Sequence, residues 1–301
     1  VSAPVFLDQP LLVDRAAERR GDADLARADA VVVVDGAVLA RDGAPVLLAP
    51  GEHPEASLVA YLGAADGRDL ALLVPADGEA GVSAALEAGA ALVPLRPLLA
   101  SLDARPDGAR DRELVTTAVA LQRWHANHPR CAHCGEATVA ISGGWVRRCE
   151  AEGRDHYPRT DPAIIVAVTD DQDRLLVAHA ATFSAGRYSH LAGYVEPGES
   201  FEQAVHREVA EEVGLAVTDV AYVGSQPWPF PASVMVGFTA RAASAALTPD
   251  GVEITDALWV TRAELDEATQ AGRMVLPPAG SIARSLLEQW RQSGTADVGA
   301  A

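Results

Sequence analysis

The chain contains no lysine: all 24 of its basic residues are arginine. That excludes lysine Schiff-base chemistry and a Walker-type phosphate-binding lysine. Positive charge is scarce altogether, with 42 acidic residues against 24 basic and a net charge of −18. A chain this acidic repels phosphate backbones and anionic lipid, so neither DNA nor a membrane is expected as a partner. Any phosphate-bearing substrate needs local arginine or a bound cation. Cysteine is sparse too, limited to Cys131, Cys134 and Cys149. Three clustered cysteines in 301 residues do not make a secreted disulfide framework. Long uninterrupted apolar runs are also missing. The longest charge-free run, residues 220–240, carries Pro227, Pro229 and Pro231, which do not suit a membrane helix. No secretory leader is expected, because Asp8 and Asp14 interrupt the apolar start and no basic segment precedes it. The expectation is a soluble, cytoplasmic protein.

What is present is ample apolar sequence, 49% of residues, enough for a sizeable core and roughly two domains. The fold class expected is α+β. Residues 1–105 read as an N-terminal α+β domain. Residues 30–39 (AVVVVDGAVL) hold β-branched runs either side of Asp35-Gly36, a hairpin signal. Residues 46–49 and 70–74 read as further strands, and the alanine-rich residues 79–90 as a helix. Residues 105–112 (RPDGARDR) read as a linker. Residues 106–158 comprise a helix at 114–128 and a small cysteine-bearing module. A second domain is expected over 159–292. There, residues 164–168 and 175–178 form a hairpin, 220–223 and 233–238 are strands, and 281–292 is a closing helix. Residues 293–301 read as a frayed tail.

Residues 193–215 (GYVEPGESFEQAVHREVAEEVGL) carry the chemistry. The second half has helical spacing, yet it places Glu208, Glu211 and Glu212 within about one turn, where like charges repel. At about 100° per residue, Val205, Val209 and Val213 fall in a stripe beside Phe201. Gln203, His206 and Ala210 lie opposite, with Arg207 at the edge. Glu208 and Glu212 fall at the margin of the apolar stripe and face the packed side. Ionised carboxylates there need a compensating partner, and one Arg207 cannot neutralise three. Hard divalent cations such as Mg²⁺ or Mn²⁺ can. Ahead of the helix, Gly193 and Gly198 permit unusual backbone, Pro197 stiffens the loop, and Ser200 with Gln203 forms a capping box.

The pattern of Gly193, Glu199, Arg207-Glu208, Val209, Glu211-Glu212 and Gly214-Leu215 resembles the Nudix box at every specified position. The resemblance implies a C-terminal Nudix α/β/α sandwich with a mixed sheet and hydrolysis of a nucleoside diphosphate linked to another group. It implies two or three Mg²⁺ or Mn²⁺ ions held by Glu208, Glu212 and Glu253, with the Ala192 carbonyl. Glu211 would be a further ligand or the general base. Arg207 would orient Glu199, so that Gly193, Glu199 and Arg207 are structural.

Downstream, SQPWPFPAS offers flat rings at Trp228 and Phe230, an amide at Gln226, and rigid prolines. It resembles the signature of the NADH pyrophosphatase branch of the family. That resemblance implies substrate contacts from Gln226, Pro227, Trp228, Pro229, Phe230, Pro231, Ala232 and Ser233. Tyr157, Tyr194, Ala283 and Arg96 join them by matching family positions, Arg96 by the loosest alignment. It also implies cleavage of NAD(H) to NMN(H) and AMP, removal of NAD caps from RNA 5′ ends, and a homodimer. Cys131-x2-Cys134 stands where the family has a zinc ribbon, with Cys149 a third ligand. Cys149 is followed three residues on by Glu152 rather than cysteine, so Glu152, His156 or His133 could complete the site, or the module folds without metal. Two other functions stay open: hydrolysis of ADP-ribose or other dinucleotides, and a sensor that binds NAD or ADP-ribose without cleaving it.

Overall fold

The computed structural model describes residues 9–293, which divide into two compact units. The first comprises residues 10–160 with 228–232. Its strands β1 (Asp29–Val34) and β2 (Ala37–Arg41) form the expected hairpin, registered Val33 to Val38 and Val34 to Ala37. Asp35 and Gly36 both take positive φ, 48° and 78°, which a two-residue turn between twisted strands requires. β3 (Ala44–Pro45), β4 (Leu47–Leu48), β5 (Ala56–Ala65) and β6 (Arg68–Pro75) follow, then the short helix α1 (Ser83–Glu87) and β7 (Ala91–Pro94). The sheet runs β3-β2-β1-β6-β5, with β4 on β1 and β7 on β2. β1 alternates faces. Val31 and Val33 join a core with α2 (Leu95–Asp103) and α3 (Gly108–Asn127) through Leu98, Leu102, Val115 and Val119, while Ala30 and Val32 join Leu39 and Val82.

Two expectations are corrected here. Residues 105–112 are not a linker, since α3 begins at Gly108. A Cβ on Gly108 would lie 2.0 Å from the Leu102 carbonyl oxygen, so glycine lets α2 turn directly into α3. The helix expected over 79–90 shrinks to a 3₁₀ turn (Gly78–Val82) and the five-residue α1. Val82 is the buried residue of that 3₁₀ turn, and α1 packs only the partly buried Ala85 and Leu86 on the core, a small face for a longer helix. The unit closes with a three-stranded sheet in the order β10 (Arg154–His156), β9 (Val146–Cys149), β8 (Val139–Ile141).

The second unit holds Gln9 and residues 161–227 and 233–293 of the described chain. Its strands are β11 (Asp161–Thr169), β12 (Leu175–Ala180), β13 (Leu191–Tyr194), β14 (Val217–Trp228), β15 (Ser233–Ala242) and β16 (Ile254–Val260). The order is β14-β15-β11-β12-β16, with β13 on β11. β11 pairs parallel with β15 and antiparallel with β12 and β13, giving the mixed sheet expected. Alternate β11 residues face opposite layers. Ile164, Val166 and Val168 pack with Val205, Val209 and Val213 of α4 (Phe201–Val213). Ile165 and Ala167 pack with Leu265 of α5 (Arg262–Gln270) and with Ile282, Leu286 and Trp290 of α6 (Ile282–Ser293). The result is a sheet between two helical layers. β13 and α5 lacked a sequence signal strong enough to read. Of the expected tail, residues 294–301 lie outside the described residues. Among the described residues, no helix is long and apolar enough to cross a membrane.

Candidate active site and candidate metal centre

Helix α4 is defined at both ends by its own sequence. Ser200 caps it by accepting from the Gln203 N–H at 3.2 Å, and the Gln203 Oε1 accepts from the Ser200 N–H at 2.8 Å. Gly214 ends it in the left-handed conformation, φ 71°, and donates to the Ala210 carbonyl. Its buried face is Ala204, Val205, Glu208, Val209, Glu212 and Val213. Glu208 and Glu212 therefore lie inside the packed arc, further in than the margin expected from the sequence. Phe201 departs from its expected place beside the valines. It stands in the first turn, 41% exposed, and Ala204 occupies the buried face instead.

Arg207 gathers the surrounding acids. Its Nη2 is 2.6 Å and its Nε 3.1 Å from the two Glu199 oxygens, a two-pronged pair. Its Nη1 reaches Glu208 Oε1 at 2.8 Å and Glu211 Oε2 at 3.0 Å, and Nη2 donates to the Tyr194 carbonyl at 2.8 Å. Glu199 also accepts the Glu196 N–H at 2.8 Å, fixing the turn before the helix. Arg207 and that N–H hold the Glu199 carboxyl below the usual range. Burial pushes Glu208 up, and Arg207 partly offsets the shift.

Glu212 is different. Burial, then the charges of Glu208, Glu253 and Asp250, push its carboxyl up to about 8, against a small opposing effect from the Ala192 N–H. Its Oε2 is buried with no hydrogen-bond partner. Such an atom carries a full desolvation penalty unless something positive meets it. Glu253, exposed, sits on a turn shaped by Asp250, whose carboxylate accepts from the N–H groups of Val252, Glu253 and Ile254. Gly193 has a steric role rather than a conformational one, because a Cβ there would lie 1.8 Å from Glu208 Oε1. Gly198, at φ 100°, does use the freedom expected of it.

The residues assigned to substrate fall into distinct surroundings. In the second unit Tyr194 is 53% exposed and its hydroxyl is 3.1 Å from Ser233 Oγ. Gln226 is only 1% exposed. Its amide donates to the Gly280 carbonyl and accepts from the Ile282 N–H, both at 2.8 Å, so it braces the start of α6 instead of presenting a free amide. The Ala283 carbonyl is 3.1 Å from His190 Nε2. Among residues of the first unit, Trp228 and Phe230 meet edge to face at 4.9 Å between centroids. The Arg96 guanidinium lies 5.4 Å from the Trp228 ring and 4.8 Å from that of Phe230. Arg123, which sequence reasoning missed, lies 5.2 Å from Phe230 and donates to the Pro229 carbonyl. Nothing local marks it, since its partner is 106 residues away. Phe230 also packs on the core of that unit. Pro229 is buried, Ala232 is partly so, and Pro227 and Pro231 are exposed. Tyr157 is 67% exposed, a free face.

In the cysteine module, Cys131, Cys134, Cys149 and Glu152 bring one ligand atom each within 4.8 Å of one another. The sulfurs of Cys134 and Cys149 are 3.5 Å apart, and Cys131 Sγ is 3.7 Å from Glu152 Oε2. Backbone N–H groups of Cys134 and His133 pull the Cys131 thiol down to about 6, towards thiolate. Three sulfurs and one carboxylate form a donor set that zinc accepts.

Comparison with known proteins finds a family match over each of these two clusters. Residues 159–278 match the NUDIX domain, and residues 126–157 match the NADH pyrophosphatase zinc ribbon domain. The chain is 43% identical over 192 residues to the NAD-capped RNA hydrolase NudC of Mycobacterium bovis (strain BCG / Pasteur 1173P2), covering 59% of this chain and 60% of that protein. It is 42% identical over 178 residues to the NAD-capped RNA hydrolase NudC of Pseudomonas syringae pv. tomato, covering 59% and 61%. The matches thus span about three fifths of the length of these curated relatives. Among solved structures, a NUDIX hydrolase from Nitrosomonas europaea is 17% identical with a TM-score of 0.46, covering 56% of this chain and 93% of its own.

Proposed function

Because the chain carries a NUDIX domain behind an NADH pyrophosphatase zinc ribbon domain, we propose that it hydrolyses the diphosphate of NAD(H) to NMN(H) and AMP. The observation that carries this reading is the buried, unpartnered Oε2 of Glu212, on a helix whose Arg207 is already engaged by Glu199, Glu208 and Glu211. Two or three Mg²⁺ or Mn²⁺ ions fit this carboxylate set, held by Glu208 and Glu212 with Glu211, Glu253 and the Ala192 carbonyl. When bound there, such ions would supply charge neutralisation of the diphosphate and of the charge developing on its bridge. Overall, the oxygen of one water bonds to phosphorus, a P–O–P bridge is cleaved, and each product leaves as a monophosphate. Arg207 fixes Glu199 and turns the Glu208 carboxylate to one side, which presets the cluster before substrate arrives. Glu211, exposed and only singly paired, is free to serve as general base or further ligand.

The 226–233 segment gives the preference for NAD(H). Trp228 offers a ring face, with Arg96 and Arg123 holding the loop from its own unit. The same recognition extends to the NAD cap of an RNA 5′ end. The net charge of −18 works against contact with the RNA body, so the cap supplies most of the affinity. Cys131, Cys134 and Cys149 hold a structural zinc ion. The protein acts in the cytoplasm as a homodimer.

The test is product analysis with NADH, NAD⁺, NAD-capped RNA and ADP-ribose side by side in Mg²⁺ or Mn²⁺. NMN(H) and AMP form from the first two, and the capped RNA is left with a 5′ monophosphate. ADP-ribose turning over faster than NADH would reassign the substrate. Saturable NADH binding without AMP release would make the protein a sensor.

A further inference from the structure

The two ligand turns of the zinc module are one motif with one exchange. Cys131-x2-Cys134-Gly135 closes by the Gly135 N–H donating to the Cys131 carbonyl at 2.9 Å, with Gly135 at φ 80°. Cys149-x2-Glu152-Gly153 closes in the same way, Gly153 N–H to Cys149 carbonyl at 2.8 Å, with Gly153 at φ 67°. The second turn therefore presents Glu152 at the position where the first presents Cys134. The Glu152 carboxylate is also held on both sides. Its Oε1 is 2.7 Å from His133 Nδ1, while Oε2 lies 3.7 Å from Cys131 Sγ and 3.3 Å from Arg154 Nε.

We propose that Glu152 is the fourth ligand of a closed site of three sulfurs and one oxygen, with His133 as its positioning residue. The proposal rests on the zinc ribbon reading and adds to it the ligand that the cysteine count leaves open. Zinc accepts a carboxylate oxygen in a tetrahedral set. Oε2 is the ligating atom because it faces the sulfurs, and the His133 contact at Oε1 orients it, as outer partners orient metal ligands generally. His156 is a different case. Its Nε2 is buried without a hydrogen-bond partner, but it stands outside the group whose ligand atoms converge. A carboxylate is a harder, less matched donor for zinc than a thiolate. This site therefore releases zinc faster than two all-cysteine turns would.

The test uses the full chain, with zinc release to a chromogenic chelator and absorption of the cobalt-substituted protein as readouts. NADH hydrolysis is followed separately. Glu152→Cys adds a fourth thiolate, so sulfur-to-cobalt charge-transfer intensity rises by about a third and zinc release slows about tenfold or more. Glu152→Gln keeps the shape and carries the test if the cysteine variant forms a disulfide. It speeds zinc release about tenfold or more and alters the cobalt ligand-field bands. His133→Ala weakens zinc about tenfold while the three-sulfur charge-transfer intensity stays. Wild-type spectra and release rates in Glu152→Gln, with both changed in His156→Ala, would assign the place to His156 and overturn the proposal. A wild-type chain that binds no zinc would overturn it together with the zinc reading, while leaving NADH hydrolysis as an independent result.

Discussion

The carboxylates of α4 and the thiols of the 131–152 module differ in how the chain prepares each for a cation. On α4 the proposed ligands are hard oxygens on a helix fixed by a capping box and a left-handed glycine, and Arg207 offsets part of their charge. In the module the proposed ligands are mainly soft sulfurs on short glycine-closed turns, with backbone N–H groups drawing Cys131 towards thiolate. A helix can space ligands for a labile ion that must also meet substrate. Paired turns wrap an ion completely and suit a structural one. The two regions should therefore respond to different metals and fail in different ways.

The largest effect expected is on catalysis. Glu212→Gln nearly preserves shape and removes a charged ligand, and should lower NADH turnover by about 100-fold or more. It should leave zinc content at the wild-type level. Near wild-type turnover at saturating Mg²⁺ would remove Glu212 from the mechanism. The converse perturbation, Cys149→Ala, should abolish zinc binding and lower the melting temperature by about 5 °C or more, since structural zinc contributes directly to folding. Excess Mg²⁺ should not restore that melting temperature, and if it did, the contrast between the two sites would collapse.

A smaller effect is expected at Arg207. Lysine keeps the charge but cannot grip Glu199 with two prongs while reaching Glu208 and Glu211, so Arg207→Lys should reduce kcat about tenfold. An unchanged rate would mean that charge alone, and not the guanidinium geometry, organises the cluster. The subtlest comparison is pH dependence without divalent metal at α4. Folded Glu212 holds its proton up to about pH 8, whereas an ordinary glutamate carboxyl titrates at 4.5. The folded state then binds more protons between those values. The contribution of Glu212 to stability is therefore fully present below about 4.5 and is lost as pH rises towards 8. Melting in magnesium-free buffer should show that decline, Glu212→Gln should flatten it, and added Mg²⁺ should oppose it most at high pH. A decline of the same slope in the glutamine variant would assign the effect to another group.

How much of this was readable in advance depended on the range of the interaction. The Asp35-Gly36 hairpin, the Ser200–Gln203 capping box and the inward turn of Glu208 and Glu212 are set by spacings of a few residues, and the sequence displays them directly. That the sheet is mixed was expected only through the resemblance carried by residues 193–215, and its strand order and register came from the structure. Gln226 misled because an amide in a loop looks available, and only the packing of Gly280 and Ile282 against it shows that it is occupied. Arg123 was invisible because its partners are Pro229 and Phe230, over 100 positions away. The cysteine module could be read as short of one ligand but not completed, since Glu152, His133 and His156 all lie within seven residues of a cysteine. Choosing among them required knowing which atoms converge.

The bare backbone at Gly193 has a mechanical consequence. With the place of its Cβ 1.8 Å from Glu208 Oε1, strand and carboxylate meet like a shaft in a keyway. No side chain stands between them to cushion a displacement. A side chain at position 193 would have to displace that carboxylate or lift β13 away from α4. The glycine acts as a spacer gauge of zero thickness between the strand and Glu208.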